Sequence, residues 1–227
     1  MKIIYFYSPI YEAFHKHISN SLDIAGIPYE NIFMDDLKKD KSSGHTFAGG
    51  QLIKIETLLN SIKDNMGSDI VFIDATTIFN PKTLHKLKDY FASYERFDLS
   101  WQTDISQLGD YNIGVTKIKC NSKMLGFFND VLSHIKKRRG WDQAACNYIF
   151  QQNQLNINFK QFDDKMVAQR MEDLTVFKTQ EDAWGSLTRN YGDFYIWKHL
   201  MNHKDKTPEQ ISSFRFNILK SLGLLVS

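Results

Sequence analysis

The sequence predicts an α/β protein: one domain with a mixed, mainly parallel central sheet flanked by helices. Strand-like apolar segments alternate with amphipathic helical segments, which is typical of such sheets. At 227 residues and 42% hydrophobic content, the chain is long enough to bury one full core. The apolar run at residues 70–73 ends on Asp74 and predicts a buried strand. Because α/β sheets bind ligands beyond the carboxyl ends of their strands, Asp74 is expected beside a ligand.

The N-terminal part of the chain predicts two strands around one helix. Residues 2–7 predict the first strand, and Ser8 and Pro9 supply an N-cap and a proline at the first helical position. A second strand is predicted over residues 29–34. Residues 35–50 form a long polar segment that is predicted to be either disordered or a binding loop. The buried face of the first helix is predicted to carry Phe14, Ile18 and Leu22.

The middle of the chain continues the alternation up to residue 162. A helix precedes the strand at residues 70–73, and Asn80-Pro81 predicts the start of another helix. The apolar residues assigned to these two helices are Ile55, Leu58, Leu59 and Ile62 in the first, and Leu84, Leu87 and Phe91 in the second. Further strands are predicted over residues 97–101, 111–119 and 157–162, and further helices over residues 122–135 and 141–152.

The C-terminal segment, residues 207–227, predicts a packed helix. Thr207 and Gln210 form a capping box, and Pro208 occupies the first helical position. Its apolar stripe consists of Ile211, Phe214, Ile218, Leu219 and Leu222. We expect this helix to pack on the single domain formed by the rest of the chain.

Composition excludes several classes of protein. A formal charge of +2 is too close to neutral for a nucleic-acid partner, and the basic run at residues 136–139 is typical of a solvated helix end. Cys120 and Cys146 form no CxxC motif, which indicates a reduced compartment and a cytoplasmic location. The apolar N-terminal run is too short for a signal peptide, and no run is long enough to span a bilayer. Peripheral contact with a membrane remains open.

Three motifs resemble the GT-A nucleotide-diphospho-sugar glycosyltransferases. A lysine-bearing helix precedes the buried strand ending in "DAT", the strand "YNIGVTKIK" follows, and "WDQ" opens a later helix. The family has an Asp-x-Asp motif, an Asn-x-Gly strand and an Asp-Gln pair in this order. The match runs over residues 54–150, and it implies a Rossmann-like GT-A domain that transfers sugar from a nucleotide-sugar donor, most simply a UDP-sugar. It also implies a nucleotide-binding half over residues 1–118 and a half for the sugar and the acceptor over residues 119–206.

The resemblance implies a divalent cation, Mn²⁺ or Mg²⁺, at the Asp-x-Asp motif. Asp74 takes the place of the first aspartate, while Thr76 stands where the family has a metal-binding carboxylate. A hydroxyl can ligate the ion but brings no charge. His199 follows the strand-like "FYIWK" and resembles the late histidine that completes the metal site, and Lys206 is expected near the phosphates.

The remaining donor-site residues are also implied by resemblance, and each has a structural alternative. Lys54 matches the lysine that faces the motif carboxylates, and its structural alternative is a solvated helix residue. Ser8 matches the nucleobase position and is also a cap. Asn112 and Gly114 match residues that let the sugar approach the backbone closely, and their structural alternative is a β-bulge. Asp142 and Gln143 match residues that bind the sugar hydroxyls, and their structural alternative is the start of a helix.

The catalytic base is left open between acids. Asp142 and Asp104 are the candidates we favour, and Glu181-Asp182 resembles the acidic pair of some inverting members. Stereochemistry is not fixed by these residues. Trp101, Trp141 and Trp184 are candidate stacking faces for sugar rings, although at least two of them are expected in the core.

The predicted function is transfer of a sugar from a nucleotide-diphosphate sugar to a saccharide, glycoprotein or lipid-linked acceptor. The alternative, favoured by Thr76, is a relative that binds nucleotide sugars without efficient catalysis. A nucleotidyltransferase fits less well, because "SPIYEAFHKH" lacks the Gly-rich basic signature that usually follows the first strand of those enzymes.

Overall fold

A computed structural model describes residues 1–34, 48–103, 110–138, 141–152, 155–163, 167–170, 196–199 and 217. The strands are β1 (Lys2–Tyr7), β2 (Tyr29–Phe33), β3 (Asp69–Ile73), β4 (Thr77–Phe79), β5 (Leu99–Thr103), β6 (Tyr111–Lys119), β7 (Val167–Arg170) and β8 (Ile196–His199). The α-helices are α1 (Glu12–Ala25), α2 (Ala48–Asp64), α3 (Leu87–Ala92), α4 (Ser122–Arg138) and α5 (Asp142–Gln152).

The central sheet has five strands in the order β2-β1-β3-β6-β5. β1 pairs in parallel with β2 and β3, whereas β6 is antiparallel to both β3 and β5. All strands except β6 therefore run in the same direction, which confirms the mixed, mainly parallel sheet. A smaller sheet has the order β4-β8-β7. Only three residues separate the end of β3 from the start of β4.

Helices cover both faces of the central sheet, so each face has its own apolar core. One core packs α2, α4 and α5 against the sheet through residues such as Leu58, Phe72 and Phe127. The other packs α1 and the α3 region through residues such as Ile18 and Phe91. Every apolar residue that the sequence assigned to the inward face of the first three helices is buried.

The predicted helix starts required two corrections. Pro9–Tyr11 forms a 3-10 turn and α1 begins at Glu12, because the Ser8 carbonyl accepts the N–H of Tyr11 at 2.8 Å while the Ser8 side chain caps no N–H of this described turn. The predicted helix at Asn80-Pro81 is likewise delayed to Leu87, after a 3-10 turn over Leu84–Lys86. A proline fixes φ but does not impose the i to i−4 hydrogen bonds of an α-helix.

Two other segments also differ from the sequence prediction. The loop predicted up to residue 50 ends earlier, because α2 already begins at Ala48. The strand predicted over residues 157–162 is reduced to a single bridge between Phe159 and Leu99. No sequence pattern indicated β4, whose residues Thr77–Phe79 pair with β8.

Several sequence predictions concern residues outside the described ranges. These are the loop over residues 35–47, Asp104, Glu181, Asp182, Trp184, Lys206 and, apart from the helical Asn217, the C-terminal helix. The division into halves at residues 118 and 206 stays a prediction. Within the described ranges, no helix combines the length and the apolar character needed to cross a bilayer.

Asp98 ties the start of β5 to α4 and to the segment after α5. Its carboxylate accepts hydrogen bonds from Lys123 Nζ at 2.8 Å, from Asn121 Nδ2 at 2.9 Å and from the N–H of Asn158 at 2.9 Å. Burial alone would raise the pKa of the Asp98 carboxyl, but these hydrogen bonds hold it below its usual value. The charged carboxylate therefore stabilises the fold.

We expect Asp98→Ala to lower the free energy of unfolding by about 2 kcal/mol at pH 7, because three hydrogen bonds to a charged group are lost. The folded-state pKa is depressed, so the contribution is complete above the unfolded value of about 4 and is lost as pH falls through the folded value. Urea denaturation at pH 7 and pH 3 measures this. The exposed Asp64→Ala is the control, and an equal loss at both pH values would contradict the assignment.

Candidate functional site

The candidate site lies at the carboxyl end of β3, where the chain turns from the central sheet into the smaller one. The N–H of Asp74 donates to the carbonyl of Gly114 at 2.8 Å, so one further ladder bond extends the β3–β6 pairing. The N–H of Thr77 then donates to the carbonyl of Asp74 at 3.0 Å and closes a tight turn. Asp74, Ala75 and Thr76 are partly exposed between fully buried strands. The turn therefore presents polar groups at the sheet edge.

Lys54 of α2 lies between two carboxylates from different elements. Its Nζ is 3.1 Å from Asp74 Oδ1 and 3.1 Å from Asp142 Oδ2, and it also lies 4.8 Å from the centre of the Phe72 ring. The side chains of Lys54 and Asp142 are each 14% exposed, and that of Asp74 is 28% exposed. Three residues that the sequence singled out from separate motifs therefore meet in one half-buried cluster.

The electrostatics of this cluster hold Lys54 in its charged form. Burial opposes a buried ammonium, but attraction from Asp142 and then Asp74 outweighs burial and raises the pKa of Lys54 above its ordinary value. One positive charge thus sits between two carboxylates, and the cluster carries a net negative charge when all three groups are ionised. Such a site favours a cation or a group that donates hydrogen bonds.

Asp142 is fixed at the first residue of α5. Its Oδ1 accepts the N–H of Gln143 at 2.9 Å, and its other oxygen contacts Lys54. Asn147, which the sequence analysis missed, holds this helix against the sheet. Its Oδ1 accepts the N–H of Tyr111 at 2.7 Å, and its Nδ2 donates to the Tyr111 carbonyl at 2.8 Å. Because the buried Asn147 amide hydrogen-bonds to both the N–H and the carbonyl of Tyr111, it fixes the position of α5 beside β6.

The Asn112 and Gly114 motif forms an irregular start to β6. Asn112 Oδ1 accepts the N–H of Gly114 at 2.9 Å, and the register between β5 and β6 shifts between Ser100 and Gln102. Gln102, a second residue that the sequence analysis missed, lies directly opposite Asn112 and is buried. Its Oε1 has no hydrogen-bond partner among the described residues. This pair of amides therefore lies next to the Asp74 turn.

The smaller sheet places further residues along the same edge. β4 pairs with β8 so that Thr77 lies opposite Lys198, and Thr76 and His199 are the residues that adjoin this last pair in the two segments. In β7, Arg170 lies opposite His199. Sequence reasoning selected Thr76 and His199 but missed Arg170, because no local pattern indicates which strand will pair with β8.

Ser8 occupies the carboxyl end of β1 and is buried. An aromatic cluster surrounds this strand end: the rings of Tyr7 and His15 stack with centroids 3.9 Å apart, and the Tyr5 hydroxyl lies 2.9 Å from His15 Nδ1. Burial, with neighbouring acidic groups, raises the pKa of the Tyr5 hydroxyl above its usual value, so it stays neutral. The end of β1 thus offers flat aromatic surface and a hydroxyl.

The two described tryptophans among the candidate stacking residues, Trp101 and Trp141, differ in solvent exposure. Trp101 is fully buried among the rings of Tyr111, Phe127, Phe150 and Phe159, so it is a core residue. Trp141 is 66% exposed, immediately before Asp142. In the part of the chain that the structure describes, no three His, Cys, Asp or Glu side chains converge into a ready metal site.

Comparison with known proteins identifies the fold. No family model matches the sequence, and no curated protein matches it. A glycosyltransferase involved in the glycosylation of the major capsid of PBCV-1 is similar in structure, with a TM-score of 0.60 and 11% identity over 96% of this chain and 98% of that chain. The galactosyltransferase LgtC, solved with donor and acceptor sugar analogs, has a TM-score of 0.51 and 13% identity over 100% of this chain and 97% of its own.

A third similar structure is the glycosyltransferase GlyE of Streptococcus pneumoniae TIGR4, with a TM-score of 0.53 and 11% identity. The match includes 100% of this chain but only 64% of GlyE. Similarity at this level of identity establishes a shared fold over nearly the whole chain, and that fold is the GT-A glycosyltransferase fold that the sequence motifs predicted.

The Lys54 cluster gives a testable consequence for stability. We expect Lys54→Gln to lower the free energy of unfolding by about 2 kcal/mol at pH 7, because two neighbouring half-buried carboxylates lose their cation. Chemical denaturation at pH 7 measures the effect.

The matched control is Lys136→Gln, which removes the exposed ion pair to Glu56. An exposed pair contributes only about 0–1 kcal/mol, so this variant should unfold nearly like the native protein. Equal losses in the two variants would show that the bridging position of Lys54 has no special effect.

Proposed function

We propose that this chain, which has the GT-A glycosyltransferase fold, transfers a sugar from a nucleotide-diphosphate sugar to a saccharide, glycoprotein or lipid-linked acceptor. The observation that carries the proposal is the ion cluster of Lys54, Asp74 and Asp142 at the carboxyl end of β3. α2, the "DAT" turn and the start of α5 are far apart in sequence, and they meet where α/β sheets bind ligands.

In this proposal the Asp74 turn receives the ribose and diphosphate of the donor. The departing diphosphate gains negative charge as the glycosidic bond breaks, and fixed positive groups stabilise that charge. Arg170 and His199 lie in one row of the smaller sheet beside the turn, which supports a diphosphate site there. Lys206 stays a candidate for the same role.

A divalent cation at the Asp74 turn is part of this proposal. Asp74 would supply a carboxylate and Thr76 a hydroxyl, and His199 stays a candidate for a nitrogen ligand; oxygen and nitrogen donors suit Mn²⁺ and, less well, Mg²⁺. A bound cation would supply charge stabilisation to the diphosphate. With one carboxylate instead of the family's two, the affinity for the cation would be low.

Asp142 and Gln143 are proposed to bind the hydroxyls of the transferred sugar from the start of α5. Lys54 keeps the Asp142 carboxylate oriented, and the first-turn N–H groups of α5 favour a negative charge at this position. Asn112 and Gln102 would complete the sugar pocket from the central sheet. Asp104 or Asp142 is proposed to take the proton of the acceptor hydroxyl.

The nucleobase is proposed to lie at the end of β1. Ser8 offers a hydroxyl, and the stacked pair of Tyr7 and His15 offers a planar surface next to it. Stacking on an aromatic ring contributes about 1–3 kcal/mol per base. A small pyrimidine such as uracil is the base we favour, so the proposed donor is a UDP-sugar.

A second candidate function is binding of nucleotide sugars without efficient transfer. The observation that favours it is Thr76, a neutral residue where the family has a carboxylate. Donor binding is common to both candidates, whereas turnover and metal dependence separate them.

Donor binding is tested by thermal shift with UDP-, GDP- and CMP-sugars, with and without Mn²⁺. A donor present at 100 times its dissociation constant should stabilise the protein by about 2.7 kcal/mol. We expect Asp74→Asn to abolish turnover while the protein stays folded, because the amide keeps the shape but loses the charge. Asp64→Asn, at the exposed end of α2, is the matched control. Turnover by Asp74→Asn within about threefold of native would remove Asp74 from the mechanism.

Thr76→Asp separates the two candidate functions. If Thr76 is a metal ligand in an active enzyme, the added carboxylate should tighten Mn²⁺ binding by about tenfold or more. If the chain works without metal, the same carboxylate repels the donor diphosphate and weakens donor binding in EDTA. Calorimetric titration of both proteins with donor, in EDTA and in excess Mn²⁺, measures the sign. Equal native turnover in both buffers would defeat the metal-dependent mechanism.

A further inference from the structure

The outer face of α5 carries two exposed aromatic residues separated by a small one. Trp141 is 66% exposed and Tyr148 is 48% exposed, and both are among the exposed large hydrophobic residues of the described chain. The Trp141 carbonyl accepts the N–H of Ala145 at 2.9 Å, so Trp141 belongs to the first turn of the helix. A spacing of seven residues puts Trp141 and Tyr148 on one face, about 10 Å apart along the axis.

Ala144 lies between these two aromatic residues on the same face and is itself exposed. Its methyl group rises little above the helix backbone, so the surface between Trp141 and Tyr148 is flat. Gln152 follows Tyr148 by one turn and continues the stripe with an exposed amide. We call Trp141, Ala144, Tyr148 and Gln152 the α5 stripe.

A groove of about 320 Å³ lies between α4 and the second half of the α5 stripe, where Tyr148 and Gln152 line it. Its volume is within the size range of small-molecule sites. Its polar walls include Asp130, His134 and Lys137 of α4, and its floor includes Ile149 and Leu155. The rings of His134 and Tyr148 contact each other at the groove, with centroids 4.6 Å apart. The groove thus combines aromatic surface, apolar floor and hydrogen-bonding walls.

This combination selects the chemical class of the ligand. Aromatic rings pack on the apolar C–H faces of sugars, while carboxylate, amide and ammonium groups bind their hydroxyls. Asp130 offsets Lys137, so the walls lack the concentrated positive charge that a phosphate or nucleic acid requires. The spacing of the two aromatic residues, about 10 Å, matches about two linked hexose rings.

We infer that the α5 stripe and the adjoining groove bind an extended, uncharged saccharide, and that this saccharide is the acceptor of the proposed transferase. The inference rests on the proposed function and adds the acceptor's class, length and direction. Asp142, in the ion cluster, directly follows Trp141 in the chain. The acceptor therefore has its reacting end near Trp141 and runs outward past Tyr148.

The experiment begins with a printed array of neutral and anionic oligosaccharides of one to six units, probed with the labelled full chain. The oligosaccharide that binds best is then shortened one unit at a time, and dissociation constants are measured by calorimetry. Tyr148→Ala should weaken binding of trisaccharides and longer ligands by about tenfold and leave monosaccharides nearly unchanged, since a single ring does not span the distance from Trp141 to Tyr148. Tyr148→Phe keeps the ring and should retain most of the affinity.

Ala144→Arg adds a long side chain to the flat surface without removing any contact, and it should also weaken binding of the longer saccharides. Asn20→Arg, on the exposed surface of α1, is the matched control and should change nothing. Unchanged affinity in both Ala144→Arg and Tyr148→Ala would overturn the inference, as would an array that binds only anionic glycans or none.

Measuring donor binding distinguishes failure of the acceptor inference from failure of the proposed function. Every variant is also titrated with the nucleotide sugar that stabilises the native protein in the thermal-shift screen. If the native protein binds donor but no saccharide, only the acceptor inference is contradicted. If the native protein binds no donor, the proposed transferase function is contradicted as well.

Discussion

The ammonium group of Lys54 is the interaction on which the organisation of the candidate site depends. It brings Asp74 and Asp142 within 3.1 Å of one atom, although one follows a strand and the other opens a helix. Two half-buried carboxylates this close would repel each other without a cation between them. Lys54 therefore links α2, β3 and α5 at the edge where α/β sheets bind ligands. The same two carboxylates stabilise the charged form of Lys54.

The reversed strand β6 is the second constraint. Because β6 runs antiparallel to β3, its first residues meet the last residues of β3, and Asn112 and Gly114 reach the same edge as Asp74. A parallel strand would have delivered its carboxyl end there, after Lys119. The mixed sheet thus allows a strand start and a strand end to build one site, and Asn147 then fixes α5 to the start of β6.

α5 connects the candidate site with the protein surface. Its first residue belongs to the ion cluster, its inner face joins the core through Ala145 and Cys146, and its outer face carries exposed aromatic rings. Burial raises the pKa of the Cys146 thiol, so this residue stays a neutral part of the core. One short helix therefore has a charged end, an apolar inner face and an outer face with exposed aromatic rings, all in a fixed relation to one another.

The sequence by itself determined the elements whose signals are local. Periodic apolar residues located α1, α2 and α4, and the run before Asp74 located β3, because burial of one face imposes a pattern on neighbouring residues. The order of three motifs indicated the GT-A fold.

Only the tertiary structure decided which residues meet. The Lys54 bridge, the pairing of β4 with β8, and the places of Arg170, Gln102 and Asn147 depend on strand partners distant in sequence. Likewise, burial of Trp101 and exposure of Trp141 follow from packing between elements, which no local pattern specifies.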